Sequence, residues 1–123
     1  MRYCDYKGLK VWQKSMDLVI EIYNLTKNFP NDERYRLTDQ MKRAVISVPS
    51  NIAEGHGRNS DKDFIKFLTI SRGSLIELET QIEICRRLDY ISDQTSQTLC
   101  NSVSEIIKMI NSLIQFRNKE KYD

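Results

Sequence analysis

The sequence predicts an all-α protein, an antiparallel up-down-up-down four-helix bundle, and three observations carry that expectation. Gly (4) and Pro (2) are scarce among 123 residues, and the β-branched, turn-punctuated runs of an all-β chain are missing. Four segments repeat apolar residues at steps of three and four, the spacing of one helix face. The connections between them are roughly eight, five and four residues, lengths that favour antiparallel neighbours. A chain of 123 residues fits a single domain, residues 1–123, large enough for a core without metals or disulfides.

Helix one is expected from about Leu9 to Asn28. Trp12, Met16, Val19 and Tyr23 line one face, and Val11, Leu18, Ile22, Leu25 and Phe29 form a second stripe about 100° round from it. Two adjacent stripes are wider than one neighbour needs, and both aromatic side chains read as core. Phe29-Pro30 stops the helix, because proline disfavours the αR conformation in the residue before it.

Helix two, residues 36–55, places Leu37, Met41, Ala44, Val48 and Ile52 inward. Pro49 removes the donor to the Val45 carbonyl and is expected to kink the helix without ending it. Gly55 and Gly57 are expected to end it as C-cap glycines. Helix three, residues 61–88, opens on Ser60-Asp61-Lys62-Asp63, where the Ser60 hydroxyl can accept from the Asp63 amide. Phe64, Leu68, Ser71, Leu75, Leu78, Ile82 and Cys85 then alternate by four and three over roughly 42 Å of helix. Gly73 interrupts good helix formers at about 1 kcal/mol, and close approach of another backbone is the expected reason. Helix four, residues 93–117, carries Leu99, Val103, Ile106, Ile110 and Leu113, with Ile107 and Ile114 as a partial second stripe. Asn118 to Asp123 are charged and expected to fray.

Charge narrows the function classes only a little. Nineteen basic side chains face 17 acidic ones, a net +2, so only a segregated basic face would mark a nucleic-acid binder. Some segregation exists: Arg2, Lys7, Lys10 and Lys14 stand against Asp5, Arg34, Arg36, Lys42 and Arg43 against Asp39, and residues 77–83 hold Glu77, Glu79 and Glu83. Lys10, Lys14, Lys42, Arg43 and Arg58 are the candidate phosphate contacts, and a symmetric oligomer could gather them on one face. Cys4, Cys85 and Cys100 are odd in number, far apart and without a CxxC pair. Neither a disulfide framework nor a zinc site is expected, and a reducing cytoplasm is the natural compartment. Residues 1–6 lack the apolar core of a signal peptide. No run is long enough to span a membrane, and no cofactor motif is present.

The stretch Asn51-Ile52-Ala53-Glu54-Gly55-His56-Gly57-Arg58 puts a carboxylate, an imidazole and a guanidinium in one short span. A Glu54/His56 acid–base pair is conceivable, but no nucleophile is patterned nearby and His56, the single histidine, has no second ligand at metal spacing. A phosphate loop fails for want of a Gly-Lys-Ser/Thr ending. Arg43, Ser47, Asn51 and Glu54 form a polar stripe beside the apolar face of helix two. Arg43 and Glu54 are roughly 16 Å apart along the axis and must find partners elsewhere. A solvated face and an inter-helix or inter-subunit polar network both fit.

The chain resembles the four-helix-bundle proteins encoded in intervening sequences of bacterial 23S rRNA genes. The resemblance rests on Leu9-Lys10-Val11-Trp12, on Phe29-Pro30 followed by Glu33, and on Leu37-x-x-Gln40-x-x-Arg43-Ala44. It continues through Ser47-x-x-Ser50-Asn51-Ile52-Ala53-Glu54-Gly55-x-Gly57-Arg58, Phe64-x-x-Phe67-Leu68 and Gly73-Ser74-Leu75-x-Glu77-Leu78. Arg72 departs from it, standing where small residues are common. The resemblance implies a left-handed bundle, a closed homo-pentameric ring and no enzyme activity. It makes Trp12, Pro30, Arg43, Ser47, Asn51, Glu54, Gly55, Gly57, Arg58, Gly73 and Glu77 signature positions of structure or assembly. The accessory variability determinants of diversity-generating retroelements are similar, and that similarity implies binding to a reverse transcriptase and to nucleic acid. The leading expectation is a non-catalytic oligomeric scaffold binding RNA or another nucleic acid. The rival is an adaptor that recruits a partner enzyme such as a reverse transcriptase without touching nucleic acid.

Overall fold

The computed structural model describes residues 5–122. Helices occupy the four periodic segments: α1 is Lys10–Thr26, α2 Leu37–His56, α3 Asp61–Arg87 and α4 Asp93–Tyr122. The expectations for Arg2, Cys4 and Asp123 lie outside the described residues. α4 runs five residues beyond Arg117, so the expected fraying from Asn118 does not set the helix end.

Each start has a local cause. Ser60 caps α3 by accepting from the Asp63 amide at 3.1 Å, with Asp61 and Asp63 at the positive end of the helix. Ser92 does the same for α4, accepting from the Thr95 amide at 3.0 Å. α1 has no side-chain cap; a short 3-10 turn, Asp5–Gly8, leads into it, and the Tyr6 ring meets Trp12 edge-on at 5.3 Å. α2 continues through Pro49 to His56.

Contacts climb one helix and descend its neighbour. Ser47 meets Ser74, and Val48 meets Ser71; Arg86 reaches Asp93, Arg72 reaches Asn111, and Arg117 reaches Asp61. The Lys42 ammonium lies 4.6 Å over the Tyr23 ring, and Lys14 pairs with Glu105 at 2.8 Å. α1–α2, α2–α3, α3–α4 and α4–α1 are therefore neighbouring antiparallel pairs around one core. Leu18, Ile22, Met41, Val45, Ile52, Leu68, Leu75, Leu78, Ile82, Ile106 and Ile110 are fully buried there, each contributing about 1.5–3 kcal/mol through apolar burial. The whole predicted stripe of α3, from Phe64 to Cys85, is buried. The Ser15 hydroxyl, buried on α1, donates back to the Val11 carbonyl at 2.7 Å.

The second stripe of helix one proves to be the inner one. Val11, Leu18 and Ile22 are buried, whereas Trp12, Met16, Val19 and Tyr23 are half-buried along the edge. Reading Trp12 and Tyr23 as core is corrected to that extent: Trp12 packs against it from the side, and the half-buried Tyr23 ring lies under the Lys42 ammonium. The end of the bundle that holds the α1–α2 connection and the α3–α4 turn is also tied down. Phe29 is buried against Tyr90 at 5.3 Å, and the Tyr90 hydroxyl donates to Glu33 Oε2 at 2.7 Å. That hydrogen bond pushes the Tyr90 hydroxyl up to about 12, and it fastens the Phe29-Pro30…Glu33 motif to the α3–α4 turn.

That turn uses a residue the sequence does not flag. Asp89 has φ 61°, the left-handed region, with the Asp89 amide donating to Arg86 and the Tyr90 amide to the Cys85 carbonyl. Asp89→Gly is expected to stabilise the fold by about 1 kcal/mol, since glycine removes the Cβ penalty of that conformation. Urea titration at fixed protein concentration would read it, and a lower midpoint would contradict it.

Candidate functional site

The signature residues of α2, from Ser47 to Arg58, lie along its contact with α3 and at the turn that follows. Ser47 and Ser74 hydroxyls are 2.8 Å apart, and the Asn51 side-chain amide donates to the Ser47 carbonyl at 2.8 Å and to its hydroxyl at 2.9 Å. Deeper in, the Ser71 hydroxyl donates to the Val48 carbonyl at 2.9 Å. The polar stripe of helix two thus reaches α3 through Ser47, which Asn51 braces from the same helix. Its two ends behave otherwise than expected: Arg43 and Glu54 find partners on or just beyond their own helix. Arg43 Nε donates to Asp39 at 3.1 Å, and Arg58 Nη2 donates to Glu54 at 3.2 Å, both at the four-residue spacing of helix neighbours.

The two glycines of the signature have different tasks, and neither is a left-handed cap. Gly55 lies inside α2 and is buried, and an added Cβ would sit 2.6 Å from the Phe67 Cβ. It is a close-approach glycine: α3 crosses where a side chain would be. Gly57 caps the helix at φ −77°, an ordinary right-handed value. Gly73 is exposed, with no heavy atom of the described residues beyond its own helix turn within 4 Å of a built Cβ, so the backbone expected to approach it is not among the described residues of this subunit.

Phe64 and Phe67 are the platform on which the rest rests. The His56 ring meets Phe64 edge-on at 5.7 Å, the Arg58 guanidinium lies 5.1 Å over Phe67, and that of Arg117 lies 5.1 Å over Phe64. Arg117 also pairs with Asp61 at 2.8 Å, while its Nε is buried without a partner among the described residues. Gly55, His56, Arg58, Asn59, Ser60, Asp61, Phe64 and Arg117 border an open cavity of about 370 Å³. Glu54 is not among its lining residues and points to Arg58, so the acid–base pair with His56 does not assemble; residues two apart on a helix face different ways. Among the described residues no group of three or more His, Cys, Asp or Glu is placed to hold a metal ion. Burial pushes the Cys85 thiol up to about 11 and the half-buried Cys100 thiol in the same direction; neither is a ready nucleophile.

The candidate phosphate contacts are spread over the molecule. Lys14 faces α4 in its pair with Glu105, which raises its pKa through that hydrogen bond and the opposite charge; Lys10 is exposed one turn earlier. Lys42 covers Tyr23 between α1 and α2, Arg43 is held by Asp39, and Arg58 sits at the α2–α3 end. One subunit does not gather them on one face. Pro30 is exposed before a 3-10 turn, and Glu77 is exposed on α3. Arg72, the departure from the family pattern, donates to Asn111 at 2.7 Å and ties α3 to α4.

Sequence reasoning passed over Phe67, Arg117 and Tyr90 as interacting residues. Phe67 stood in the signature without a partner, and the partners of Arg117 and Tyr90 are 56 and 57 positions away. A wide apolar groove was legible only as surplus width on helix one. Tyr6, Trp12, Met16, Val19, Ile46, Pro49, Ser50 and Ala53 line it between α1 and α2, enclosing about 420 Å³.

No curated protein matches the chain. Among solved structures, a protein of unknown function from the S23 ribosomal protein family of Bacteroides thetaiotaomicron is similar. The two share 30% identity over 85% of this chain and 97% of that one, with a TM-score of 0.78. The model of the 23S rRNA-intervening sequence protein family matches residues 7–112, and with the signature, the fold and the solved relative in agreement, the chain belongs to that family.

Proposed function

We propose that this protein is a non-catalytic cytoplasmic scaffold that works as an oligomer, a ring of five by family resemblance, and that the assembled form binds RNA or another nucleic acid. The observation that carries the scaffold reading is the open apolar groove between α1 and α2, with Ile46 in its wall at 41% exposure. A patch of that kind marks an interaction site. The non-catalytic part is supported by Glu54 and His56, which are engaged separately by Arg58 and Phe64. The nucleic-acid part draws on the family's description and on the scattered basic residues. On one subunit Lys10, Lys14, Lys42, Arg43 and Arg58 are too dispersed to act together, whereas repetition around an assembly multiplies each weak contact. No described helix is long and apolar enough to cross a membrane.

Light scattering at micromolar concentration is expected to give a multiple of the 14.5 kDa subunit; a monomer would sink the assembly reading. Gel-shift titration with structured RNA and duplex DNA is expected to show salt-sensitive binding, weakened by Lys42→Ala or Arg43→Ala. No shift at low salt over a wide range of nucleic acids would overturn the nucleic-acid part. Retention of a reverse transcriptase at high salt by such a non-binding protein would establish the adaptor reading in its place.

A further inference from the structure

α3 carries a second regular strip besides the one in the core. Thr69, Gly73, Ile76, Thr80 and Ile84 follow steps of four, three, four and four, and Ile70 lies beside them; all six are exposed. The outward face of a helix in a lone subunit is normally charged, yet this strip carries no charge. Its isoleucines are exposed by 42% (Ile70), 53% (Ile76) and 42% (Ile84). Every residue of the strip is a poorer helix former than alanine, glycine most of all, and the space over Gly73 is open. Nothing in the same subunit offsets that cost. A helix face with a notch at its centre is what close approach of another helical surface requires.

The groove between α1 and α2 is the counterpart on the same chain, and the two faces are different: one is a concave cleft bordered by Trp12, Met16 and Ile46, the other a ridge on α3. Their rims carry opposite charge. Lys42 and Arg43 stand one turn before Ile46 on α2. Glu77 and Glu79 flank Ile76 on α3, exposed and without an ion-pair partner among the described residues. Arg43 is already paired with Asp39, so Lys42 is the rim charge of the groove without an ion-pair partner among the described residues. Groove against groove would set it against its own copy, and α3 against α3 would do the same to Glu77 and Glu79, whereas groove against α3 brings Lys42 to those carboxylates.

We infer that the exposed face of α3 in one copy packs into the α1/α2 groove of the next copy, head to tail. The inference rests on the assembly part of the proposed function and adds which faces meet. A contact between two different faces can repeat from copy to copy and closes into a ring when the rotation per step allows it, whereas a face meeting its twin stops at a dimer.

The test uses two full-length variants, Ile46→Glu in the groove and Ile76→Glu on α3, both at partly exposed positions, with sedimentation velocity at micromolar concentration as the readout and circular dichroism as the check on folding. With the wild type assembled, each variant alone is expected to sediment as a monomer. An equimolar mixture is expected to form a 1:1 heterodimer, because Ile46→Glu keeps the α3 face and Ile76→Glu keeps the groove, leaving one intact junction. Should either variant lose its helical signal, Ser50→Glu and Thr80→Arg replace them at exposed positions of the same faces. Wild-type mass in both variants, dimers of either variant alone, or a mixture that stays monomeric would overturn the head-to-tail contact while leaving assembly standing. A monomeric wild type would overturn the assembly reading itself.

Discussion

Gly55→Ala is expected to lower the free energy of unfolding by roughly 1–3 kcal/mol, although alanine is the better helix former. The added methyl would meet the Phe67 Cβ at 2.6 Å and the Phe64 ring at 3.1 Å. A Cβ cannot swing aside as a side-chain tip can, so α3 must move as a body and the layers beneath it must follow. The Ser47–Ser74 and Ser71–Val48 hydrogen bonds, at 2.8 and 2.9 Å, would stretch with it. Urea denaturation at matched protein concentration measures the change; an unchanged or higher midpoint would show that the two helices have slack at this crossing.

Leu78→Ala should cost more, about 2–5 kcal/mol, because it leaves a cavity in the middle of the bundle. Leu78 is fully buried, as are Leu75 and Ile82 beside it on α3, and helices locked at both turns can close only part of the gap. The denaturation midpoint should fall with little change in slope. A loss below about 1 kcal/mol would mean that the four helices collapse onto the vacated space, a plasticity at odds with close core packing.

The comparison of sequence with structure turns on which partners lie within a few residues. The α3 stripe was legible because Phe64, Leu68, Leu75, Leu78, Ile82 and Cys85 keep one period for about six turns, and the Ser60 cap because its acceptor and donor are three residues apart. Gly55 looked like a stop and is a crossing point within the subunit, since nothing in its neighbourhood announces Phe67, whereas Gly73 opens outward from the subunit. The pairs Asp39–Arg43 and Glu54–Arg58 were readable from four-residue spacing, but attention to the distance between Arg43 and Glu54 hid them. Asp89 was beyond reach because aspartate takes a left-handed turn only when the surrounding contacts demand it. Of the site, the residue types were visible and their division was not. Ser47, braced by Asn51, and Gly55 hold two helices of one subunit together, while Trp12, Met16 and Ile46 are left facing outward.

The seam between α1 and α4 bears on how the molecule breathes. Two cavities of about 550 and 60 Å³ run along it, the larger walled by Glu21, Asn24, Ser92, Gln94, Thr95 and Thr98 together with Leu25 and Leu99, and the Lys14–Glu105 ion pair that crosses it is half exposed. Water already reaches much of that boundary, so α1 has less to lose by detaching than α2 or α3, and its amide protons should exchange ahead of theirs. When α1 detaches it takes half of the apolar groove with it. Anything seated in the groove would therefore act as a clamp on the first helix, and local opening would slow as protein concentration rises.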